Sequence, residues 1–366
     1  MAAMKVKKSE KILVHCPNWV GDFVMATPAL RVIRENNPNA GIAVVVRPQI
    51  RQIIEGLPYY DEIIEFDSKR LNRGVWNNVA MGLELRKAAF TLSIILPNSF
   101  GSAALSFFAA IPKRVGYRTD CRGFLLTHPI PPPKENGRPV PIPMVERYLR
   151  ICGHLNYSIS SDKPSLCFAR GTREAVDHLY QARGIRSDMP MVSIIPGASF
   201  GSSKCWPPEY FAEVADQLTE SYGVQILIIP GPAEQEIAAR IESHMRHHPF
   251  SFTERIISLE HLKAVISDSD LVITNDTGPR HYAVALDTPV VVIMGPTDPR
   301  YTNYCLTKTR LLREDTECGP CHLKACPTDH RCMKNISPQR VIKACEEFLG
   351  QDMDNAAGNR ITGMHT

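Results

Sequence analysis

The sequence predicts an α/β protein with parallel sheets in two domains. Short apolar runs alternate with segments of helical apolar spacing, a rhythm typical of strands joined by helices. Continuously apolar strands connected in this way form parallel sheets that helices cover on both faces. The 366 residues, 44% of them hydrophobic, are too many for one compact core, so two domains are expected.

The elements follow in order along the chain. The first half contains the predicted strands 12–14, 42–46, 63–64 and 92–96, and the second half contains 192–195, 226–229, 256–257, 271–274 and 290–293. A proline-rich stretch (129–143), a helix-like segment (145–154) and a polar stretch (156–164) separate the two series. We therefore expect a first domain of residues 1–165, a second of residues 166–350 and a disordered tail of residues 351–366.

The positive charge of the chain is concentrated in its first half. Residues 1–165 contain 22 Lys and Arg against 13 Asp and Glu, whereas the remainder contains 20 against 25. The excess favours an anionic partner, although solvated surface charge explains it equally well. Because no basic helix or zinc-finger spacing accompanies the charge, nucleic acid is not expected as a partner, and an acidic small or lipid-linked substrate is favoured.

Targeting signals are weak in this sequence. The apolar stretch 93–110 is interrupted by Pro97, Asn98 and Gly101 and is not expected to span a membrane. Lysines 5, 7, 8 and 11 precede an apolar run that ends at Pro17, too short for a signal-peptide core. Eleven cysteines, most of them scattered singly, fit a reduced chain, so a cytoplasmic protein is expected.

The first chemistry-bearing segment follows predicted strand 12–14. Gly21 and Asp22 stand between this strand and a helical pattern, at the carboxyl edge where parallel sheets bind ligands. Asp22 either caps the helix or projects its carboxylate into the crevice, and the local sequence does not decide between these alternatives. The glycine patterns of dinucleotide and P-loop sites do not occur in this sequence, so those sites are not expected.

A second segment follows predicted strand 271–274. Residues 275–278, Asn-Asp-Thr-Gly, lead into a helical segment that carries His281. Amides at such a helix start, with the Thr277 hydroxyl and the unencumbered Gly278, form a receptor for a diphosphate. Asp276 is expected to order the loop, and His281 either contacts phosphate or faces the core.

The remaining strand ends of the second half complete a nucleotide-diphosphate pocket. The loop 196–204 contains Ser199 and Lys204, and the lysine would offset charge on a leaving diphosphate. Glu234 follows the next strand and either holds ribose hydroxyls or caps a helix. Residues 295–299 are expected to form a turn, with a contact to the sugar as an additional role left open.

Ordered motifs over nearly the whole chain resemble the ADP-heptose:lipopolysaccharide heptosyltransferases of glycosyltransferase family 9, most closely those of type II. They occupy residues 17–22, 96–100, 112–118, 144–148, 196–207 and 275–299. The resemblance implies a GT-B fold, in which two Rossmann-like domains face a cleft. It also implies inverting transfer from ADP-L-glycero-D-manno-heptose to an inner-core lipopolysaccharide acceptor, without a catalytic metal or a required cofactor.

The resemblance also implies roles for individual residues. Asp22 is the expected general base, and Lys204 the expected catalytic cation. The donor-binding residues are expected to be Ser199, Lys204, Glu234, Asp276, Thr277, Gly278 and His281. The residues expected to bind Kdo carboxylates and lipid A phosphates of the acceptor are Asn98, Ser99, Arg114 and Arg118. Such an acceptor implies peripheral contact with the inner membrane.

Two features depart from the family pattern. Pro279 and Arg280 replace two apolar residues, which gives the pocket either an added cation or a different surface. A C-x2-C-x4-C-x5-C pattern could hold a structural zinc ion, while loop packing and disulfides formed in air are the alternatives. Its cysteines are Cys318, Cys321, Cys326 and Cys332.

The functions left open beside the heptosyltransferase are of two kinds. One is another enzyme on the same fold, such as a sugar-nucleotide transferase with a different donor, a hydrolase or an epimerase. The other is a non-catalytic nucleotide-sugar sensor. An acceptor-dependent transfer assay separates them.

Overall fold

The computed structural model describes residues 10–67 and 75–362, so that lysines 5, 7 and 8 lie outside the described residues. The chain divides into two compact units. One contains Met1–Cys167 and Arg300–Thr302, and the other contains Phe168–Pro299 and Asn303–Thr366. The boundary predicted between residues 165 and 166 lies close to this division.

The first unit contains a parallel sheet of six strands. They are β1 Lys11–His15, β2 Gly41–Val46, β3 Glu62–Glu65, β4 Leu92–Ile95, β5 Lys113–Tyr117 and β6 His128–Ile130. The helices are α1 Val20–Asn36, α2 Pro48–Ile54, α3 Val75–Leu85, α4 Phe100–Phe108 and α5 Met144–His154. A short antiparallel pair, β7 Lys134–Glu135 and β8 Arg138–Pro139, lies in the proline-rich stretch.

The second unit contains another parallel sheet of six strands. They are β9 Met191–Ile195, β10 Gln225–Ile228, β11 Phe250–Ser251, β12 Leu271–Asn275, β13 Val290–Met294 and β14 Thr309–Arg313. The helices are α6 Thr172–Arg183, α7 Pro208–Tyr222, α8 Gln235–His244, α9 Leu259–Asp268, α10 Gly278–Ala285, α11 Arg331–Lys334 and α12 Pro338–Thr362.

The two sheets have the same topology. Their strand orders are β3-β2-β1-β4-β5-β6 and β11-β10-β9-β12-β13-β14. In each sheet the direction of winding reverses between the first and the fourth strand of the unit, β1 and β4 or β9 and β12. The carboxyl ends of those strands flank the crevice in which doubly wound sheets bind ligands.

Apolar burial explains why these segments form strands and helices. Residues of β1, β9 and β12 are buried almost throughout, because helices cover both faces of each sheet. In the second unit Trp206 is fully buried, packs edge-on against Phe211 at 4.9 Å between ring centroids, and donates from Nε1 to the Ile336 carbonyl. The core is therefore continuous from the sheet to the helices that follow residue 330.

One prediction of secondary structure differs from the structure. Residues 256–257 are not a strand: the edge strand is β11, and the two isoleucines lie half-buried in the loop before α9. α12 extends to Thr362, and the disorder expected of residues 351–366 stays a prediction. Residues 363–366 lie outside the described residues. Among the described helices, none is long and apolar enough to cross a membrane.

Candidate functional site

Lys204 and Asp276 form a buried ion pair at the switch point of the second sheet. Lys204 ends a single 3-10 turn, Ser202–Lys204, in the loop after β9, and Asp276 follows β12. The Lys204 ammonium donates to Asp276 Oδ2 at 2.7 Å and to the Asp276 carbonyl oxygen at 2.9 Å. The side chains are 12% and 8% exposed, so water and salt screen their attraction only weakly.

Arg280 adds a second cation to this pair. It lies on the first turn of α10, is buried, and donates from Nη1 to Asp276 Oδ1 at 2.7 Å. Burial opposes ionisation of Asp276, but the charges of Arg280 and Lys204 outweigh it and lower the pKa of the carboxyl below its ordinary value. Two cations thus bond to the two oxygens of one buried carboxylate.

The turn after Asp276 offers few amide donors. α10 begins at Gly278, and Thr277 is its N-cap in an extended conformation. Pro279 lacks an N–H group, and the Arg280 N–H bonds back to the Thr277 carbonyl at 3.3 Å. The amides of Thr277 and Gly278, with the Thr277 hydroxyl, are the donors with which this turn could bind a phosphate.

His281 is a buried, neutral imidazole beside this turn. Its Nδ1 lies 2.6 Å from the Tyr304 hydroxyl, and the two rings stack with centroids 5.8 Å apart. Burial and then the charge of Arg280 lower the pKa of His281 to about 3. If Tyr304 donates to Nδ1, the imidazole proton is on Nε2 and makes that atom a hydrogen-bond donor. The burial agrees with the core-facing alternative, and contact with phosphate stays a prediction.

Glu234 folds back against the loop that carries Lys204. Its Oε2 accepts the Gly231 N–H at 2.7 Å, and burial raises the pKa of its carboxyl. Gly197 makes room for it, because a Cβ at that position would lie 1.7 Å from Glu234 Cδ. The structure thus places Glu234 beside the loop 196–204, while its contact with ribose stays a prediction.

Two more residues of the second unit complete the description of this site. Ser199 is exposed in the loop of Lys204. Thr297, which the sequence interpretation did not single out, donates from its hydroxyl to Asp276 Oδ2 at 2.7 Å. Its position after β13, beside β12 at the same sheet edge, is the signal that could have identified it.

Asp22 lies in the first turn of α1, at the carboxyl edge of the first sheet. The N-cap of that helix is Trp19, so Asp22 is not the N-cap residue. Asp22 is half-buried. Burial of Tyr148 on α5 and, next in size, the charge of Asp22 raise the pKa of the tyrosine. The role of general base stays a prediction.

Asn98 and Ser99 lie beside Asp22 in the strand order, after β4. Ser99 is the N-cap of α4 and accepts the Ser102 N–H at 3.3 Å. The buried Arg122, which the sequence interpretation did not single out, donates to the carbonyls of Pro97 at 2.6 Å and Ser99 at 3.0 Å. Within the described residues, Asn98 Oδ1 is buried without a hydrogen-bond partner, as expected of a group that meets a ligand or water.

Arg114 and Arg118 lie at opposite ends of β5. The Arg114 guanidinium donates from Nε to the Leu125 carbonyl at 2.7 Å and lies 5.4 Å from the centre of the Phe107 ring. Arg118 follows the strand and is exposed. The structure therefore brings Arg118, and not Arg114, to the sheet edge that carries Asp22.

The four cysteines of the C-x2-C-x4-C-x5-C pattern belong to the cysteine segment, residues 318–336. Burial, followed by the nearby thiols of Cys318, Cys326 and Cys321, raises the pKa of Cys332. Among residues 10–67 and 75–362, however, no group of three or more His, Cys, Asp or Glu side chains is arranged to hold a metal ion. This geometry gives the zinc hypothesis no support, whereas the burial of Cys332 agrees with loop packing.

Comparison with known proteins identifies the family. The model of glycosyltransferase family 9 (heptosyltransferase) matches residues 79–331, more than half of the chain. The chain belongs to this family. This family 9 glycosyltransferase is 29% identical over 352 residues to lipopolysaccharide heptosyltransferase 2 of Salmonella typhimurium. The alignment covers 93% of this chain and 99% of the relative.

Solved structures show the fold of this glycosyltransferase. Escherichia coli ADP-heptose lipopolysaccharide heptosyltransferase II is 28% identical, with a TM-score of 0.75 over 94% of this chain and 99% of that one. A family 9 glycosyltransferase from Veillonella parvula is 22% identical and has a TM-score of 0.83 over 93% and 98% of the chains. With the two six-stranded parallel sheets, these neighbours confirm the predicted GT-B fold and family.

Proposed function

We propose that this glycosyltransferase transfers heptose from ADP-L-glycero-D-manno-heptose to an inner-core lipopolysaccharide acceptor of the heptosyl-Kdo2-lipid A type. Family membership and the similarity to heptosyltransferase 2 relatives support the donor and the acceptor. The observation that carries the proposal is the buried cluster of Lys204, Arg280 and Asp276, which places two cations at the carboxyl edge where doubly wound sheets bind nucleotides.

In the proposed reaction the donor diphosphate lies against Lys204 and the turn of Thr277 and Gly278. Asp22 takes the proton of the acceptor hydroxyl as its oxygen attacks the anomeric carbon. The bond from that carbon to ADP breaks on the opposite face, so the configuration inverts. Lys204 and the amides offset the charge that develops on ADP, a role for which no cofactor is proposed.

Recognition is divided between the two sheets. Glu234, beside the donor loop, is proposed to hold the ribose hydroxyls of ADP. Arg118 and Asn98 are proposed to bind the carboxylates and phosphates of the acceptor, because both lie at the carboxyl edge that carries Asp22. Arg114, whose guanidinium is hydrogen-bonded to a carbonyl, is the weaker candidate of the two arginines.

The test is an acceptor-dependent transfer assay. Purified protein is incubated with ADP-heptose, with and without a heptosyl-Kdo2-lipid A acceptor, and both ADP and the glycosylated lipid are measured. We expect the two products in equal amounts and only when acceptor is present. Release of free heptose without acceptor would indicate a hydrolase, and donor binding without any turnover would indicate a sensor.

Exposed aromatic residues support peripheral contact with the inner membrane. Trp19, Trp76, Phe100 and Phe124 are 60%, 69%, 39% and 73% exposed. They follow β1, β3, β4 and β5, so all lie toward the carboxyl edge of the first sheet, with the exposed Arg118. Aromatic side chains interspersed with cations are typical of surfaces that rest on anionic lipid. We therefore include in the proposal a location at the cytoplasmic surface of that membrane.

Vesicle sedimentation tests this contact. The protein is mixed with vesicles of phosphatidylcholine alone or with about one-third phosphatidylglycerol. We expect binding to the anionic vesicles, and a loss of about tenfold in the variant with both Trp76→Ser and Phe124→Ser. Ile159→Ser, a change at a half-exposed residue of the same unit, is the matched control. Equal binding of the double variant and the control would refute the assignment of this surface.

A further inference from the structure

Ser203, the residue before Lys204, is bonded through all its polar groups to the cysteine segment. Its N–H donates to the Lys324 carbonyl at 3.1 Å, and its hydroxyl donates to the Leu323 carbonyl. Its own carbonyl accepts a hydrogen bond from His330 Nε2 at 2.7 Å. Ser203 is 2% exposed, so water does not compete for these bonds. The donor loop is thus fixed at one residue by chain that lies far away in the sequence.

Gly201 permits this close approach. Its φ of +155° is a conformation that side chains disfavour, and a Cβ there would lie 2.2 Å from the Lys324 carbonyl oxygen. The loop and the cysteine segment are therefore in backbone contact, which leaves little freedom for one to move without the other.

The cysteine segment also holds the loop after β13. Its His322 N–H donates to the Pro296 carbonyl at 2.9 Å. That loop carries Thr297, whose hydroxyl bonds to Asp276, the partner of Lys204. The segment therefore contacts both loops that converge on the ion pair.

We propose that the cysteine segment sets the position of the Lys204 ammonium, and that His330 is the positioning residue through which it acts. The inference rests on the proposed function, because it requires a donor diphosphate at Lys204. His330 acts through Ser203 and Lys204 and does not touch the donor. A displacement of about 1 Å in a cation that meets a diphosphate is enough to weaken binding and turnover.

A double-mutant cycle on ADP binding tests this coupling. Calorimetric titration with ADP compares wild type, His330→Ala, Lys204→Ala and the double variant, each checked for folding by thermal unfolding. His330→Ala should weaken ADP binding about three- to tenfold, the size of one lost hydrogen bond. In the Lys204→Ala background the same change should have little further effect.

Two further variants control the interpretation. His330→Gln keeps an N–H donor and should restore most of the affinity. Arg331→Ala removes an exposed ion pair with Asp329, in which both side chains are 54% exposed. Its ADP affinity should match that of wild type. If His330→Ala does not fold, Ser203→Ala, which removes the hydroxyl bond to Leu323, takes its place in the cycle with an expected loss of about two- to fivefold.

The outcomes separate this inference from the proposed function. Suppose that wild type binds ADP and that the fold-losses of affinity in His330→Ala and Lys204→Ala multiply in full in the double variant. This result would overturn the inference but not the proposed function. ADP affinity unchanged in His330→Ala would do the same. Wild type that does not bind ADP would refute the proposed donor site and the inference with it.

Discussion

Replacing Asp276 with asparagine should strongly destabilise the second unit. Asparagine keeps the shape of the side chain but removes the charge that Lys204 and Arg280 share. Breaking a buried ion pair from one side costs about 3–5 kcal/mol, because a charge is left buried without compensation. Arg280 is 2% exposed and Lys204 12%, so Lys204 regains some solvation and we expect about 3 kcal/mol.

Differential scanning calorimetry at pH 7 measures this loss. For a unit of about 200 residues, 1 kcal/mol corresponds to about 2–4 °C, so Asp276→Asn should lower the Tm of the second unit by about 6–12 °C. Glu347→Gln is the matched control, since it breaks an exposed ion pair with Arg310 that is worth less than about 1 kcal/mol. A loss in Asp276→Asn no larger than that of the control refutes the reasoning.

The pH dependence of the same variant is a second check. The pKa of Asp276 is lowered in the folded protein, so its contribution to stability is complete above the ordinary aspartate pKa of about 4 and is lost only as the pH falls through the folded value. The difference in Tm between wild type and Asp276→Asn should therefore be constant from pH 8 to pH 5. A difference that already shrinks within this range would contradict the depressed pKa.

Three further predictions address the base, the donor loop and a buried imidazole. Asp22→Asn should lower kcat about 10²- to 10⁴-fold while ADP affinity stays within about twofold, and a loss below tenfold would exclude Asp22 as the base. Gly197→Ala should displace Glu234, costing about 1–3 kcal/mol in urea unfolding and weakening ADP binding; the control Gly153→Ala, on a helix with open space at its Cβ, should be neutral or stabilising. The pKa of His281 is about 3 when folded against an ordinary 6.5, so the unfolded chain alone takes up this proton between pH 6.5 and 5. The free energy of unfolding should then fall as the pH is lowered through this range. His281→Gln should make this fall shallower by up to about 1.4 kcal/mol per pH unit, and equal slopes in the two proteins would argue against a buried neutral imidazole.

The central strands could be predicted from the sequence because burial on both faces leaves a continuous apolar run, as in β2 and β13. Strands toward the sheet edges lack that signal. β5 and β14 mix Lys or Arg with apolar residues. β11 is an edge strand of only two residues, and the more apolar residues 256–257 follow it in the sequence. Hydrophobicity alone therefore placed the seventh predicted strand, residues 256–257, in a loop.

The candidate donor site could be located from the sequence because its residues follow parallel strands, whose ends meet at one edge. This reasoning singled out Lys204 and Asp276, and it expected Asp276 to order the loop. The three hydrogen-bonded partners of Asp276 agree with that expectation. It could not find Arg122 or His330. Their partners are backbone carbonyls of distant segments, and neither residue belongs to a local motif.

The ion pair of Lys204 has a consequence for the entropy of the donor binding that is proposed at this residue. A free lysine side chain loses about 1.5–2 kcal/mol of rotamer entropy when a ligand immobilises it. Because Asp276 already holds the ammonium, this ordering takes place when the chain folds and is not repeated when the nucleotide arrives. The saving corresponds to about 10- to 30-fold in affinity. At the proposed donor site, the rotamer entropy of Lys204 is therefore lost during folding and not during the binding of the sugar nucleotide.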